Sequence, residues 1–383
     1  MAKRREAYIV AMMRSPIAKV EKIKGTETYK SAISSLTPQE LTRQVLRGLF
    51  ILNGLAPNCV DFFAMGSAVS LKTADQAPVK EIALLSEMEH ADCELVEKAC
   101  SSGLVAAYRA AQSIWHEGAD FAIGGGIDMM SQDAARTNAA LWDSLAGKFM
   151  YQLADEKAVE LGISREEHDK YASESYERAK KFLYNTGSYV TAIVIPGQEQ
   201  FLLTFDEIPT MRDMTLEKIQ RVRVFEECQI LTPASSSKWG DGVAVAAFAS
   251  PRFVRTHKLR PLARFVAFTR ASGNEPKNFV TEPAKAVRKL LKKTKTEIEK
   301  VDVALVNEAF ATSPLDFMRT TGMPHEKVNP RGGAIALGHP LGMSGMRIMS
   351  EAVHILNQEN KNIAIVSVCN AKDEATAAEI HRT

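Results

Sequence analysis

The chain of 383 residues has a mass of 42.1 kDa, more than one small domain needs and enough for two or three packed units. Hydrophobic residues make up 45% and charged residues 25%, which excludes an intrinsically disordered chain. The formal net charge of +2 gives no basic surface for nucleic acid, and no apolar run approaches the roughly 18 residues of a membrane span.

The first predicted strand comes early, in the apolar residues 7–11 that follow a short basic start. This start has no signal-peptide core, and the final residues 381–383 form no peroxisomal signal. The five cysteines are odd in number and lack zinc spacing, so we predict reduced thiols without a disulfide framework or a structural metal. We expect an intracellular protein that is not secreted, in the cytoplasm or the mitochondrial matrix.

The chain repeats one pattern of elements in its two halves. Residues 60–68 resemble residues 301–309. Further on, Ser102-Gly103 and Ser344-Gly345 each open an amphipathic run that leads, at the same spacing, into an apolar run of strand length. Alternating strands and helices predict βαβ units, and two copies predict two similar α/β domains side by side.

A long segment between the two halves has no counterpart in the repeat. It contains a predicted helix at 163–183, which opens with the capping-box sequence Ser164-Arg165-Glu166-Glu167. An insertion of this size is expected to form a lid or a binding surface. The predicted domains are residues 1–130, completed by about residues 237–258; the insertion at 131–236; and residues 259–383.

Cys100 precedes the first repeated helix, at a predicted turn between a strand and Ser102-Gly103. The positive end of a helix and its free backbone N–H groups stabilise a thiolate, so we expect a lowered pKa and a nucleophilic sulfur at this position. A buried structural cysteine is the alternative that these residues alone leave open.

His339 is flanked by glycine and proline, which predicts a turn rather than the apolar face of a helix. Its place in the second repeat is close to the place of Cys100 in the first, so two facing helix starts would bring the imidazole and the thiol together. Cys369 ends the last strand of the second unit, where reacting groups collect in open α/β sheets. Taken alone, Cys369 would be interpreted as a packing residue.

Together these segments resemble the thiolase family. The resemblance is carried, in the family's order, by Val96-Glu97-Lys98-Ala99-Cys100-Ser101-Ser102-Gly103, by residues 122–131, by Asn307-Glu308-Ala309-Phe310-Ala311 and by residues 332–345. It implies two duplicated βαβαβαββ domains in a layered α/β/α/β/α arrangement, with an inserted loop domain. It also implies a homodimer, no permanently bound cofactor, and acyl-CoA and coenzyme A as substrates.

The resemblance implies a role for each residue of a catalytic set. Cys100 takes the acyl group, His339 is the base that activates it, and Cys369 moves the proton of the second substrate. Asn307 together with His339 holds the thioester oxygen, Asn307 through a water. The backbone N–H groups of Cys100 and Ala371 form the other oxyanion site. The same resemblance places Ala309 and Phe310 in the pocket near the reacting carbons and Ser237 against the pantetheine.

Four features depart from the family pattern. After Cys369 the family has a glycine-rich turn, whereas this chain has Asn-Ala-Lys-Asp-Glu-Ala at 370–375. Ala371 can donate its N–H there only if the turn does not require a positive φ at that residue. The insertion is also short. Phe149-Met150-Tyr151 stands where members often have a histidine at the lid, and residues 235–239 replace a stretch richer in glycine and asparagine.

We predict an acyl-CoA acyltransferase of fatty acid or lipid metabolism. It would cleave 3-ketoacyl-CoA with coenzyme A, or condense two acetyl-CoA molecules, through a cysteine acyl-enzyme. The alternative is an acyl-CoA-binding protein with weak or lost turnover, because the glycine turn has changed. A decarboxylating enzyme of the ketoacyl-synthase type would pair its cysteine with two histidines, and Asn307 and Cys369 disagree with that pattern.

Overall fold

The computed structural model describes residues 5–71, 76–185, 189–195, 202–211 and 213–383. Strands and helices alternate along both halves of this part of the chain. The strands are β1 (Tyr8–Arg14), β2 (Ala18–Lys19), β3 (Glu21–Lys22), β4 (Tyr29–Lys30), β5 (Phe62–Gly66), β6 (Asp92–Val96), β7 (Phe121–Met129), β8 (Trp142–Asp143), β9 (Lys148–Phe149), β10 (Ile193–Val194), β11 (Leu202–Leu203), β12 (Gly240–Ala249), β13 (Ala263–Ser272), β14 (Val303–Val306), β15 (Ile363–Asn370) and β16 (Glu374–Arg382). The helices are α1 (Pro38–Asn53), α2 (Pro78–Leu85), α3 (Ser102–Gln112), α4 (Ala134–Ala140), α5 (Met150–Glu160), α6 (Arg165–Phe182), α7 (Glu207–Met211), α8 (Leu216–Gln220), α9 (Pro251–Thr256), α10 (Glu282–Thr294), α11 (Thr312–Thr321), α12 (Ala334–Leu337) and α13 (Leu341–Gln358).

The strands of each half form a mixed sheet. In the first half the order is β6-β5-β7-β12-β1, with β5 parallel to β6 and β7, and β12 antiparallel to β7 and β1. In the second half the order is β13-β16-β15-β14, with β14 parallel to β15. In the described part of the chain, the two sheets are continuous with each other where Tyr8 and Ile9 of β1 pair with Arg264 and Ala263 of β13. The predicted duplicated α/β fold is confirmed.

Helices cover both faces of each sheet and also fill the space between the sheets. α1 packs on β1, β7 and β12, whereas α10 packs on β13, β15 and β16. α3 and α13, which begin the repeated helical runs, contact each other, and α13 contacts strands of both halves. The result is the layered arrangement that the resemblance implies, with the α3–α13 pair as its central layer.

The helix boundaries agree with the sequence in two cases and differ in one. α6 begins at Arg165, and Ser164 and Glu167 form the predicted capping box. α3 begins at Ser102 as expected, but α13 begins at Leu341, before the predicted Ser344. Because of this earlier start, Gly342 lies inside the helix at the contact with the first half.

The central helices touch through glycines, which lets their backbones approach closely. A Cβ atom added to Gly345 would lie 2.7 Å from the backbone nitrogen of Leu104, and one added to Gly103 would lie 2.5 Å from the carbonyl oxygen of Gly342. A Cβ on Gly126 of β7 would lie 2.1 Å from the same oxygen. A side chain at any of these positions would therefore push the two halves apart.

The inserted segment supports the site from outside the two sheets. Tyr171 and Ser175 of α6 donate hydrogen bonds of 2.8 Å to the two carboxylate oxygens of Glu308, which is buried next to Asn307. Among the described residues, no helix is both long and apolar enough to cross a membrane, and no three His, Cys, Asp or Glu side chains are grouped as a metal site.

We expect Gly345→Ala to lower the free energy of unfolding by about 1–3 kcal/mol, because the new methyl group overpacks the α3–α13 contact. Gly48→Ala is the matched control in α1, since the nearest atom to its added Cβ is the Thr191 hydroxyl, at 3.1 Å. The control should be neutral or stabilising because alanine favours a helix more than glycine does. Urea unfolding of both variants is the measurement, and equal stability of the two would contradict a tight glycine contact.

Candidate active site

Cys100 lies in a strained turn between β6 and α3. Residues Ala99–Ser101 form a single 3₁₀ turn, and Ala99 has a φ of 44°, which a residue with a side chain rarely adopts. The Ser102 hydroxyl fixes this turn, because it accepts a hydrogen bond from Lys98 N at 2.8 Å and donates one to the Ala99 carbonyl at 2.7 Å. Cys100 N–H is among the first amides of the helical segment, which no intrahelical carbonyl satisfies.

The pKa of the Cys100 thiol differs from the value that the sequence predicts. Burial raises its pKa well above the ordinary value, and the neighbouring Cys369 and Asp128 raise it further. The predicted lowering by the helix start is therefore wrong for the protein without substrate, because loss of water around the sulfur outweighs the backbone N–H groups. A neutral thiol needs a base to become a nucleophile.

His339 is held in a fixed orientation. Its backbone N–H donates to the Lys238 carbonyl at 2.8 Å, and the preceding Gly338 has a φ of 101° that suits glycine. The Ser344 hydroxyl donates to the Pro340 carbonyl at 2.9 Å, so it accepts from Nδ1–H of His339, 2.5 Å away. The hydrogen bonds thus assign the proton to Nδ1 and leave a lone pair on Nε2.

The imidazole of His339 is neutral. Burial lowers its pKa to about 3, and the positive charge of Arg347 acts in the same direction. On the Nε2 side lies Asn307, whose Nδ2 is 3.3 Å from that nitrogen. Asn307 follows β14 directly, and its own N–H donates to the Ser367 carbonyl of β15 at 2.9 Å.

Cys369 lies near the end of β15 and is only 1% exposed. Burial raises the pKa of its thiol to about 11, although the neighbouring Asn307 amide and Ser313 hydroxyl oppose that change. Both cysteines of the site are therefore thiols in the resting protein at neutral pH.

Ser101 links the segment of Cys100 to the segment of Cys369. Its backbone N–H donates to Oδ1 of Asn370 at 2.7 Å, and its hydroxyl lies 2.7 Å from the hydroxyl of Thr376 on β16. Each cysteine is thus one residue away from a direct hydrogen bond between the two halves. This contact fixes the sulfur atoms relative to each other.

Cys100, His339 and Cys369 all line one cavity of about 510 Å³. Of the eight residues that the resemblance implies, all except Asn307 line this cavity: Cys100, His339, Cys369, Ser237, Ala309, Phe310 and Ala371. Asn307 is buried beside His339 and Cys369. A second cavity of about 520 Å³ shares His339, Ser237 and Phe310 with the first and is walled by aromatic side chains.

The lining segments are held together by backbone hydrogen bonds. Ser237 N–H donates to the Ala309 carbonyl at 2.9 Å, and Ala311 N–H donates to the Ser235 carbonyl at 3.0 Å. The segment that departs from the family pattern at 235–239 is therefore placed by the segment that follows Asn307. Phe149, Met150 and Tyr151, the segment at the place of the expected lid histidine, all line the aromatic cavity, and Phe149 stacks on Tyr151.

The changed turn after Cys369 keeps Ala371 out of the left-handed region. Positive φ values fall instead on Lys372, at 63°, and on Asp373, at 58°. The condition stated for a donated N–H at Ala371 is thus met, and this N–H donates no hydrogen bond to any residue that the structure describes.

Sequence reasoning missed two supporting residues. Ser344 was used only as a helix landmark, although its spacing after His339 places its hydroxyl on Nδ1. Asp128 lies in one of the family-like segments, and its buried carboxylate accepts the Gly342 N–H at 2.6 Å, the Ser67 hydroxyl at 2.8 Å and the Val69 N–H at 2.9 Å. It joins the histidine segment to the first half.

Two family models match the chain over most of its length. The model described as thiolase, N-terminal domain, matches residues 8–251, and the one described as thiolase, C-terminal domain, matches residues 259–382. A probable acetyl-CoA acetyltransferase of Dictyostelium discoideum is 30% identical, over 98% of this chain and 93% of that relative. A 3-oxoadipyl-CoA/3-oxo-5,6-dehydrosuberyl-CoA thiolase of Escherichia coli is 29% identical, over 99% and 100%.

Solved structures show the same similarity in three dimensions. The acetyl-CoA acetyltransferase of Bacillus anthracis is 27% identical with a TM-score of 0.92 and covers 100% of both chains. The human mitochondrial 3-ketoacyl-CoA thiolase in complex with CoA is also 27% identical, with a TM-score of 0.89, and covers 99% of this chain and 98% of that one.

We expect the rate of Cys100 acylation by acetyl-CoA to be constant between about pH 5 and about pH 7.5, because His339 is already unprotonated across this range. The measurement is single-turnover acylation at low thioester concentration, followed by mass spectrometry of the intact protein. A titration near pH 6.5, the ordinary value of histidine, would contradict the lowered pKa. A tenfold rise per pH unit would indicate reaction through free thiolate without the base.

Proposed function

Because the chain belongs to the thiolase family, it is a coenzyme A-dependent acyltransferase, and we propose that Cys100 carries the acyl group between the two substrates. The reaction is cleavage of 3-ketoacyl-CoA by coenzyme A, or its reverse, the condensation of two acetyl-CoA molecules. The observation that carries the proposed mechanism is the meeting of Cys100, His339 and Cys369 at one cavity, with an unprotonated Nε2 on the histidine.

In the cleavage direction, the sulfur of Cys100 attacks the ketone carbon while Nε2 of His339 takes the thiol proton. The bond between the ketone carbon and the next carbon breaks, and its electron pair goes to the acetyl-CoA fragment, which takes a proton from Cys369. In the second step of the reaction, Cys369 accepts the thiol proton of coenzyme A, and the coenzyme A sulfur attacks the acyl group on Cys100. The Cys100 sulfur leaves and recovers its proton from His339.

The unequal pKa values of Cys100 and His339 determine when the thiol proton moves from the sulfur to the imidazole. The pKa of Cys100 is raised and that of His339 is lowered, so a thiolate–imidazolium pair is unfavourable without substrate. Proton transfer therefore accompanies bond formation at the carbonyl carbon. The resting thiol stays protonated and poorly nucleophilic toward other reagents.

Two sets of hydrogen-bond donors stabilise the negative charge that develops on the substrate oxygen atoms. The N–H groups of Cys100 and Ala371 form one set, supported by their place at the cavity and by the absence of another acceptor for the Ala371 N–H among the described residues. Asn307, through a water, and Nε2 of His339, once it has taken the thiol proton, form the other. The Oδ1 of Asn307 is buried and accepts no hydrogen bond from a described residue, which fits an amide that binds substrate oxygen through an ordered water.

The two cavities divide the substrate between them. Ala309 and Phe310 contact the carbons near the reacting centre, and Ser237, which lines both cavities, contacts the pantetheine. Residues 131–236 act as the lid domain, since Leu141 and Met150 from this segment line both cavities. The domain limits remain those given by the sequence repeat.

A homodimer and a role in fatty acid or lipid metabolism in the cytoplasm or the mitochondrial matrix complete the proposal. Support for the homodimer comes from β6, which is the last strand of the sheet in the described structure and therefore has an unpaired edge. Leu95 on this strand is 38% exposed. Pairing of two β6 edges across a two-fold axis would cover it.

We expect the wild-type protein to consume acetoacetyl-CoA when coenzyme A is added, observed as loss of the ketoacyl absorbance. Cys100→Ser should lower the rate at least about 1,000-fold, because the acyl-accepting sulfur is gone. Cys59→Ser, a change of a partly exposed cysteine outside the site, should leave the rate unchanged. Binding of acetoacetyl-CoA without any turnover by the wild type would reject the enzyme and favour the acyl-CoA-binding alternative.

We expect light scattering at micromolar concentration to give twice the chain mass of 42.1 kDa. Leu95→Asp should reduce the mass to that of one chain, because it places a charge at the β6 edge. A wild-type mass of one chain would contradict the homodimer and leave the catalytic proposal intact.

A further inference from the structure

The turn between β15 and β16 needs support from outside itself. Its three residues, 371–373, contain no glycine, yet Lys372 and Asp373 both adopt left-handed φ values. Two such residues in succession are unfavourable for side chains with a Cβ atom, since that conformation brings Cβ close to the following carbonyl oxygen. Ala371 is the first residue of this turn, so a change in the turn's conformation would also move its backbone N–H.

Asp373 is supported by the end of β13. Its side chain is 1% exposed, and its Oδ2 accepts a hydrogen bond of 3.0 Å from the Glu275 N–H. The Asp373 carbonyl accepts the Gly273 N–H at 2.8 Å. Gly273 makes room for this carboxylate, because a Cβ there would lie 2.0 Å from Oδ2.

Lys372 is supported by a different element, the hairpin of β8 and β9. Its Nζ lies 2.9 Å from Oδ1 of Asp143, whose side chain is fully buried. The same oxygen accepts the N–H groups of Leu145 and Ala146, each at 2.9 Å, so the carboxylate is fixed in its hairpin. Trp142 and Ser144, the neighbours of Asp143, line the cavity of Cys100.

We propose that Lys372 is a positioning residue of the acyl-transfer site. Its ion pair with Asp143 holds the turn in the left-handed conformation, which aims the Ala371 N–H at the thioester oxygen, and it fastens the β8–β9 hairpin over the Cys100 cavity. This inference rests on the proposed function, because the direction of that N–H matters only when an oxyanion forms beside Cys100. The ion pair between the turn and the β8–β9 hairpin thus stabilises a conformation that glycine would adopt without support.

Three substitutions of Lys372 separate the ion pair from the backbone conformation. Lys372→Arg keeps a cation within reach of Asp143 and should retain most of the activity. Lys372→Gly loses the ion pair but adopts a positive φ without strain, so kcat should fall moderately. Lys372→Ala loses the pair and keeps the strain, so it should fall furthest, about tenfold or more, a part of the effect of deleting one oxyanion donor.

The matched control is Lys148→Ala in β9 of the same hairpin. Lys148 is 44% exposed and pairs with Glu156, whereas Lys372 is 42% exposed and pairs with Asp143. Thiolysis of acetoacetyl-CoA gives kcat and KM for each variant, and iodoacetamide gives the reactivity of Cys100 without an oxyanion step. The rate of amide hydrogen exchange in residues 143–147 and 371–374 shows whether the ion pair stabilises both segments, and this measurement needs no turnover.

Positioning by Lys372 predicts that Lys372→Ala lowers kcat with little change in KM or in the rate of alkylation. Exchange should become faster in both segments for Lys372→Ala and stay at the wild-type rate for Lys148→Ala. Equal exchange in wild type and Lys372→Ala overturns the inference, even if the wild type proves inactive and the proposed function fails. If Lys372→Ala does not fold, equal kcat for Lys372→Arg and Lys372→Gly overturns it instead.

Discussion

The close approach of α3 and α13 is the constraint on which the site depends. Glycines at 103, 126, 342 and 345 remove the side chains that would separate the two halves. Cys100 lies two residues before the start of α3, and His339 lies two residues before the start of α13, so this contact brings the two groups to one cavity. Asp128 and Ser101 then secure the contact with hydrogen bonds across the halves. A duplicated fold thereby makes one site from the corresponding positions of both copies.

The chemistry of the site follows from burial more than from charge. Loss of water keeps both thiols protonated and the imidazole neutral. In that state neither the two thiols nor the imidazole carries a charge, and an unpaired charge would be costly to bury. The hydroxyl of Ser344 assigns the tautomer, so Nε2 of His339 is unprotonated before substrate arrives. In the mechanism that we propose, charge appears only when the carbonyl carbon is present, and N–H donors of the backbone stabilise the oxyanion that develops there.

The fold and the site residues could be predicted from the sequence to a large extent, because repetition and motif spacing are visible in one dimension. Cys100, His339 and Cys369 each occupy a strand or helix end that the two copies define. The raised pKa of Cys100 could not be predicted in the same way, since burial in the cavity depends on segments far apart in the chain. The same holds for the Lys372–Asp143 pair, which joins residues of two separate elements. The left-handed residues at 372 and 373 also carry no glycine that would have marked them.

The acyl-enzyme itself provides the most direct measurement. Brief incubation with acetyl-CoA, followed by acid quenching and peptide mass spectrometry, locates any acetyl group on the chain. The expected result is one acetyl group on Cys100 in the wild type and a strongly reduced amount in folded His339→Asn. An acetyl group on Cys369 or Cys93, or equal acetylation of Cys100 without the imidazole, would contradict the central role of the Cys100–His339 pair.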